Sequence, residues 1–201
     1  GMIQGGRSRV GRYVTALVDA MVREQQQVEL HVAGLDEDRK HFPSLGDDRW
    51  VTIPASQARA AKNILWHLLT LPKELKAGGF DLVHIPSYRR MIPFSPVPQV
   101  ATIHDCAPFI LREKYDALRG FFGRILVPVI ARRVPRIIAV SETTAGDIRL
   151  YMKVPEGRIR AIPNGINHKM FRPPDPEALA VFRKRKKRDR PECHGAKRPY
   201  E

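Results

Sequence analysis

Cysteine is nearly missing from this chain: two in 201 residues, Cys106 and Cys193, far apart and in no metal or redox spacing. A disulfide scaffold and a cysteine-built zinc module are thereby excluded, and a reducing cytoplasm is the simplest setting. Long hydrophobic runs are missing too. None approaches the roughly 20 residues that cross a bilayer, and the opening GMIQGGRSRV has no apolar stretch of the secretory kind, so neither an anchor nor a leader is expected. No G-K-[ST] occurs, which removes a phosphate-binding P-loop. GGRSRVG follows no strand and lacks the G-x-G-x-x-G spacing, which removes a dinucleotide fingerprint and disfavours an oxidoreductase. The seven histidines are scattered, and metal-dependent chemistry is disfavoured. Acidic residues are scarce as well: 21 against 35 basic ones leave a net charge of +14.

That charge looks like a nucleic-acid signal until it is located. From Arg183 to Glu201 nine basic residues face three acidic ones, a surplus of six within nineteen residues. A like-charge block of this kind is normally solvated and disordered, so a nucleic-acid arm is the lesser reading. With 43% hydrophobic residues the chain has enough for one sizeable core, not for two full domains.

Periodicity alternates between helix and strand along the chain. RVGRYVTALVDAMVREQ puts Val10, Tyr13, Val14, Leu17, Val18 and Met21 on one helical face, and VELHVAG then alternates as a strand. GLDEDRKHFPSLGDDR reads as loop and WVTIP as a short strand. QARAAKNILWHLLTLPKELKAGG is helical, with a break at Pro72 and a stop at Gly78-Gly79. The strands FDLVHIP, QVATIH, RIIAVS and RIRAIP follow. Between them lie the helical LREKYDALRGFFGRILVPVIARR, interrupted near Pro128, and the helical ETTAGDIRLYMK. Such alternation implies right-handed crossovers and an α/β fold: a doubly wound parallel sheet with helices on both faces. Ligands of such sheets sit beyond the carboxyl ends of the strands. Those ends are Gly34, Pro54, His84, His104-Asp105, Ser141 and Pro163-Asn164-Gly165.

Most of these have an ordinary reading. His84 fits a hydrogen-bonded core histidine, Ser141 a helix cap, Asn164-Gly165 a tight turn with positive φ, and Gly5-Gly6 a turn before the first helix. His104-Asp105 is the exception, because a carboxylate beside an imidazole at a strand end has no obvious packing role.

Taken in order, GGRSRVGRYVTALVDAM, DLVHIPSY, VATIHDCAPF, RIIAVSETTAGDI and RIRAIPNGINHKMFRP resemble the family 4 retaining glycosyltransferases of the GT-B type. The resemblance implies a Rossmann-like, acceptor-side domain over residues 1–173 and a basic, disordered tail over 174–201. Only GMIQ precedes the glycine turn, so the first strand of the sheet is expected to be missing, leaving its two neighbours without ladder partners. The basic pair and the Glu-x7-Glu motif of a second GT-B domain have no counterpart after residue 173. Glu29 and Glu37 show that spacing by coincidence. The chain is therefore expected to be truncated and inactive alone.

The resemblance also implies a hexosyltransferase of polysaccharide biosynthesis. It would move a hexose such as mannose from a GDP- or UDP-hexose to a glycan or lipid-linked acceptor, with no metal and no tightly bound cofactor. Gly5 and Gly6 would let the backbone approach the donor phosphates. His104 would reach towards the donor sugar and its phosphate, and Asp105 would orient that ring or bind acceptor hydroxyls. These two form the catalytic pair. Arg9, His84, Tyr88, Ser141, Asn164 and Gly165 would line the acceptor cleft, Ser141 chiefly as a cap. Retention of anomeric configuration implies front-face chemistry, in which positioned hydrogen-bond donors near developing phosphate charge matter more than a protein nucleophile.

The stretch from Phe109 to Arg133 mixes Phe121, Phe122, Ile125 and Leu126 with Arg112, Lys114, Arg119, Arg124 and Arg132. A crossover helix with a solvated basic face is the plainer reading. Peripheral contact with an anionic membrane, on the inner face of the cell membrane, is the other. The competing class of function is a non-enzymatic basic α/β module that binds nucleic acid or phosphorylated ligands.

Overall fold

The structure is a computed structural model, and it describes residues 8–24, 27–54, 60–110, 122–168 and 172–188. They fall in two units, Gly1–Asn164 and Gly165–Glu201.

In the first unit, helix α1 (Arg9–Arg23) starts where the Ser8 hydroxyl accepts a hydrogen bond from the Gly11 N–H at 2.8 Å, satisfying one donor the helix leaves open. Strand β1 (Val32–Leu35) pairs in parallel with β2 (Trp50–Ile53). β1 begins at Val32 rather than Val28, because Val28 is exposed and Glu29 is hydrogen-bonded to the His31 ring at 2.9 Å. The stretch expected as loop between β1 and β2 contains two 3-10 turns, Asp36–His41 and Asp47–Arg49. The first has three acids in its opening turn and three basic side chains in its last, the order the helix dipole favours.

Helices α2 (Ala60–Leu69) and α3 (Leu71–Ala77) break at Thr70. Pro72 sits in the first turn of α3, where its missing N–H has no partner to lose, and Gly79 leaves the helix region at φ +66°. Four strands then form a second parallel sheet in chain order: β3 (Val83–Ile85), β4 (Gln99–Ile103), β5 (Arg136–Ala139) and β6 (Ile159–Ala161). The short α4 (Ala107–Ile110) follows β4. A π-helical segment at Phe122–Leu126 runs into α5 (Val127–Ala131) with Leu126 still in helical conformation, so the helix changes its hydrogen-bond pattern just before Pro128. Helix α6 (Glu142–Asp147) runs into a second π-helical segment, Ile148–Met152, closed by Lys153 at φ 56°. The densest core lies around β4 and β5, where Ile103, Ile137, Ile148 and Met152 are fully buried.

A doubly wound sheet has the strand order 3-2-1-4-5-6. The described strands run β2-β1 and then β3-β4-β5-β6, so the position between β1 and β3 is left out, and each of those two strands has one ladder partner among the described residues. Residues 1–7 lie outside the described residues. Side chains hold the two pieces together on both faces. Leu35 and Ile53 share one cluster with Ile85 and with Trp66, Leu71 and Leu75 of α2 and α3. The alternate residues face α1: Val32 packs on Val18, and Thr102 is hydrogen-bonded to Tyr13. At the strand entrances the rings of His31 and Phe80 meet edge to face at 5.3 Å.

The second unit holds α7 (Pro176–Arg188). Over these residues the tail is helical, where disorder is the expectation from sequence, and residues 180–185 are exposed. Ala178, Leu179, Ala180 and the run of Arg and Lys are good helix formers, and their propensity offsets the like-charge repulsion at i,i+4.

Candidate functional site

The chemistry-bearing side chains converge at the carboxyl ends of β3 and β4, on the face that α1 covers. His104, one residue past β4, is half-buried, and its Nε2 lies 3.2 Å from the Pro86 carbonyl. A carbonyl oxygen only accepts, so Nε2 carries the hydrogen and donates it, and in the neutral ring the lone pair is on Nδ1. The Tyr13 ring meets the imidazole edge to face, centroids 4.9 Å apart at 82°. Burial pushes the His104 pKa down. The bond to Pro86 and the charge of Asp105 act the other way without offsetting it. The result at neutral pH is an uncharged imidazole with a fixed tautomer and one accepting nitrogen.

Behind it, His84 Nε2 lies 2.8 Å from the Thr102 hydroxyl, and the same oxygen lies 3.1 Å from the Tyr13 hydroxyl. The His84 pKa is lowered first by burial and then by His104. This is the hydrogen-bonded histidine of the plainer reading, tied to the candidate site through its neighbours.

Asp105 does not orient His104. Its Oδ1 accepts the Ala107 N–H at 3.0 Å at the start of α4, and Pro86 and Tyr13 hold the ring instead. Tyr88 is buried in the core, its hydroxyl accepting from Arg89 Nε at 3.3 Å. Ser141 caps α6, accepting the Thr144 N–H at 3.0 Å. Arg9 is exposed at the first position of α1. Asn164 and Gly165 are exposed at the boundary between the two units, and φ of Gly165 is not in the left-handed region, so the expected positive-φ turn is not formed. Gly5 and Gly6 lie outside the described residues, as do residues 111–121 of the membrane-contact candidate that runs from Phe109 to Arg133.

The sequence reading passed over Tyr13 and Thr102 as site residues. A signal was present: each puts a hydroxyl on an otherwise apolar, core-facing surface, and such a group needs a partner. No D-x-D carboxylate pair is expected from the sequence, yet Asp36-Glu37-Asp38 has that spacing. Asp38 is buried in the 3-10 turn, and no group of three or more ligating side chains occurs among the described residues. Cys106 is buried beneath the site, its thiol pushed up to about 12 by burial, then Asp147 and Asp105, which suits packing and not nucleophilic attack. A recess of about 400 Å³ lies elsewhere, between α6 and β6. Arg149, paired with Glu156, lines it together with Glu142 and Arg160.

The family model of Glycosyltransferase Family 4 matches residues 10–169, which include Tyr13, His84, Thr102 and His104. The chain belongs to that family, and its α/β fold is a glycosyltransferase domain with parallel strands flanked by helices. Among solved structures it is similar to a glycosyltransferase from Rickettsia africae ESF-5, at 14% identity and a TM-score of 0.49, over 93% of this chain and 47% of that one. The chain thus spans about half the length of that structure. No curated protein matches it.

Proposed function

We propose that this chain is the acceptor-side part of a retaining, nucleotide-sugar-dependent hexosyltransferase. It would move a hexose such as mannose from a GDP- or UDP-hexose to a glycan or lipid-linked acceptor in the cytoplasm, without a metal. The observation that carries this reading is the neutral, tautomer-fixed imidazole of His104 at the end of β4, within a family match that covers most of the chain. With Nε2–H committed to Pro86, Nδ1 is the nitrogen left to accept a hydrogen bond from a sugar hydroxyl. His104 then orients the donor sugar, a narrower role than contact with both sugar and phosphate. Gly5 and Gly6 are assigned to the donor phosphates, whose charge is stabilised by backbone N–H groups at the entry to α1.

The test is transfer of labelled hexose to lipid and glycan acceptors by the protein in its full reading frame, with the 201 residues assayed in parallel. The full protein should transfer and the 201 residues alone should not. His104→Ala should lower kcat by about tenfold, the worth of one hydrogen bond that orients the sugar. A change within about threefold, under 1 kcal/mol of barrier, overturns the role given to His104.

Membrane contact is supported by Ile125, Leu126 and Val129, exposed beside Arg132 and Arg133. It predicts salt-sensitive co-sedimentation with anionic vesicles. A second reading, a basic module for nucleic acid or phosphorylated ligands, draws on the basic helix α7. It requires binding that falls steeply with salt and is lost on deletion of 183–201.

A further inference from the structure

We infer that Tyr13 is a positioning residue for His104, and that the buried hydroxyl of Thr102 fixes Tyr13 in that role. The inference rests on His104 as the functional imidazole. Three elements meet here: α1 supplies Tyr13, β4 supplies Thr102 and leads to His104, and β3 supplies His84 and leads to Pro86.

Thr102 is fully buried on β4, between the apolar Ala101 and Ile103. Its hydroxyl has one hydrogen to give and two lone pairs. Tyr13 Oη at 3.1 Å and His84 Nε2 at 2.8 Å both converge on that single oxygen. One hydroxyl can serve both partners at once, and the network is complete only when all three members are present. The Tyr13 hydroxyl is thereby held inward, and the ring is left to face His104 edge to face at 4.9 Å. Pro86 holds one nitrogen of the imidazole at 3.2 Å, and the Tyr13 ring covers its flank. A single hydrogen bond leaves a ring free to swing about its own axis, and the second contact removes that freedom.

The ring of Tyr13 also contributes to the burial that depresses the His104 pKa. The titratable groups that act on His104 are Asp105, which raises it, and His84, whose own pKa is lowered by His104. Since His84 is kept neutral beside Thr102, the Tyr13–Thr102–His84 chain brings no positive charge to the site at neutral pH.

The test reads the imidazole directly, by NMR titration of labelled histidine rings in the 201-residue chain. Thr102→Val keeps the shape of the side chain and removes the hydroxyl. Thr102→Ser keeps the hydroxyl and leaves a small cavity. A hydroxyl tether predicts that His104 resonances and midpoint move in Thr102→Val and stay as in wild type in Thr102→Ser. A packing role predicts the reverse order and overturns the inference. Tyr13→Phe is the milder second variant, should Thr102→Val not fold. It keeps the ring, loses the tether, and should move His104 in the same sense as Thr102→Val. An unmoved His104 in Tyr13→Phe overturns the inference as well. Failure of the sugar-transfer reading would show in the transfer assay and leave these titrations unchanged.

Discussion

Replacing Gln99 with leucine removes the bridge that fastens the loop after β3 to the start of β4. The side chain is buried, its Oε1 accepting the Ile92 N–H at 2.8 Å and its Nε2 donating to the Ile92 carbonyl at 3.3 Å. Ile92 is itself buried at 2% exposure, so water does not replace either partner. Each buried backbone group left without a bond costs about 1–3 kcal/mol. Leucine recovers part of that by burying apolar surface in place of an amide. The expected net loss is about 2–4 kcal/mol, a large part of the 5–15 kcal/mol typical of a domain. Urea denaturation should show a lower midpoint with an unchanged slope, and the melting temperature should fall by roughly 5–15 °C.

Gln99→Glu refines the test. Its buried carboxyl has a folded-state pKa raised above the unfolded value of about 4.3. The penalty relative to wild type is therefore fully present above the raised pKa. It shrinks as pH falls through that value, when the acid can again donate to the Ile92 carbonyl. A Gln99→Leu loss below about 0.5 kcal/mol, or a Gln99→Glu penalty independent of pH, would refute the assignment of a two-point bridge.

Three further outcomes follow from the same coordinates. His67, His84 and His104 are all held below the usual histidine range, burial being the first cause in each. The unfolded chain thus takes up protons near pH 6.5 that the folded chain refuses, so stability is full above that pH and is lost on acidification. Urea midpoints at about pH 7.5 and 5.5 should differ in that sense, and equal midpoints would count against neutral buried rings. Gly34→Ala would put a Cβ 2.7 Å from Trp50 Cη2, so the indole must shift, at a cost of about 1–3 kcal/mol. Unchanged tryptophan fluorescence and stability would show that the ring yields freely. Ser141→Ala loses the cap on α6 and should cost about 1 kcal/mol, whereas Ser141→Asp retains it. Equal stability of the two variants would remove the cap from the account.

Much of the fold was legible because each element is a short amphipathic piece with its own punctuation. The period-3.6 face of α1, the break before Pro72 and the apolar runs at β4 and β5 all specify their elements locally. The 3-10 turns after β1 were not legible. They depend on the order of charges along Asp36–His41 and on the burial of Asp38, not on hydrophobic period. At the site the sequence singles out His104 as a residue with no packing reason to be polar. It could not assign the group that holds the ring, since Pro86 acts through its backbone carbonyl and Tyr13 arrives from α1, far away in the chain. Of the two roles expected for Asp105, orienting the ring finds no hydrogen bond to support it, because adjacency in sequence is not contact and its Oδ1 is turned to the N–H two residues on. Tyr88 lies in the core, because an aromatic at a strand end serves a core as readily as a cleft.

Tyr13 on α1 and His84 on β3 both reach the one hydroxyl of Thr102 on β4, so three elements that are distant in sequence meet at a single buried oxygen. A substitution that shifts α1 is therefore felt at the imidazole of His104, through the Tyr13 ring, before it is felt in the buried centre of β4 and β5.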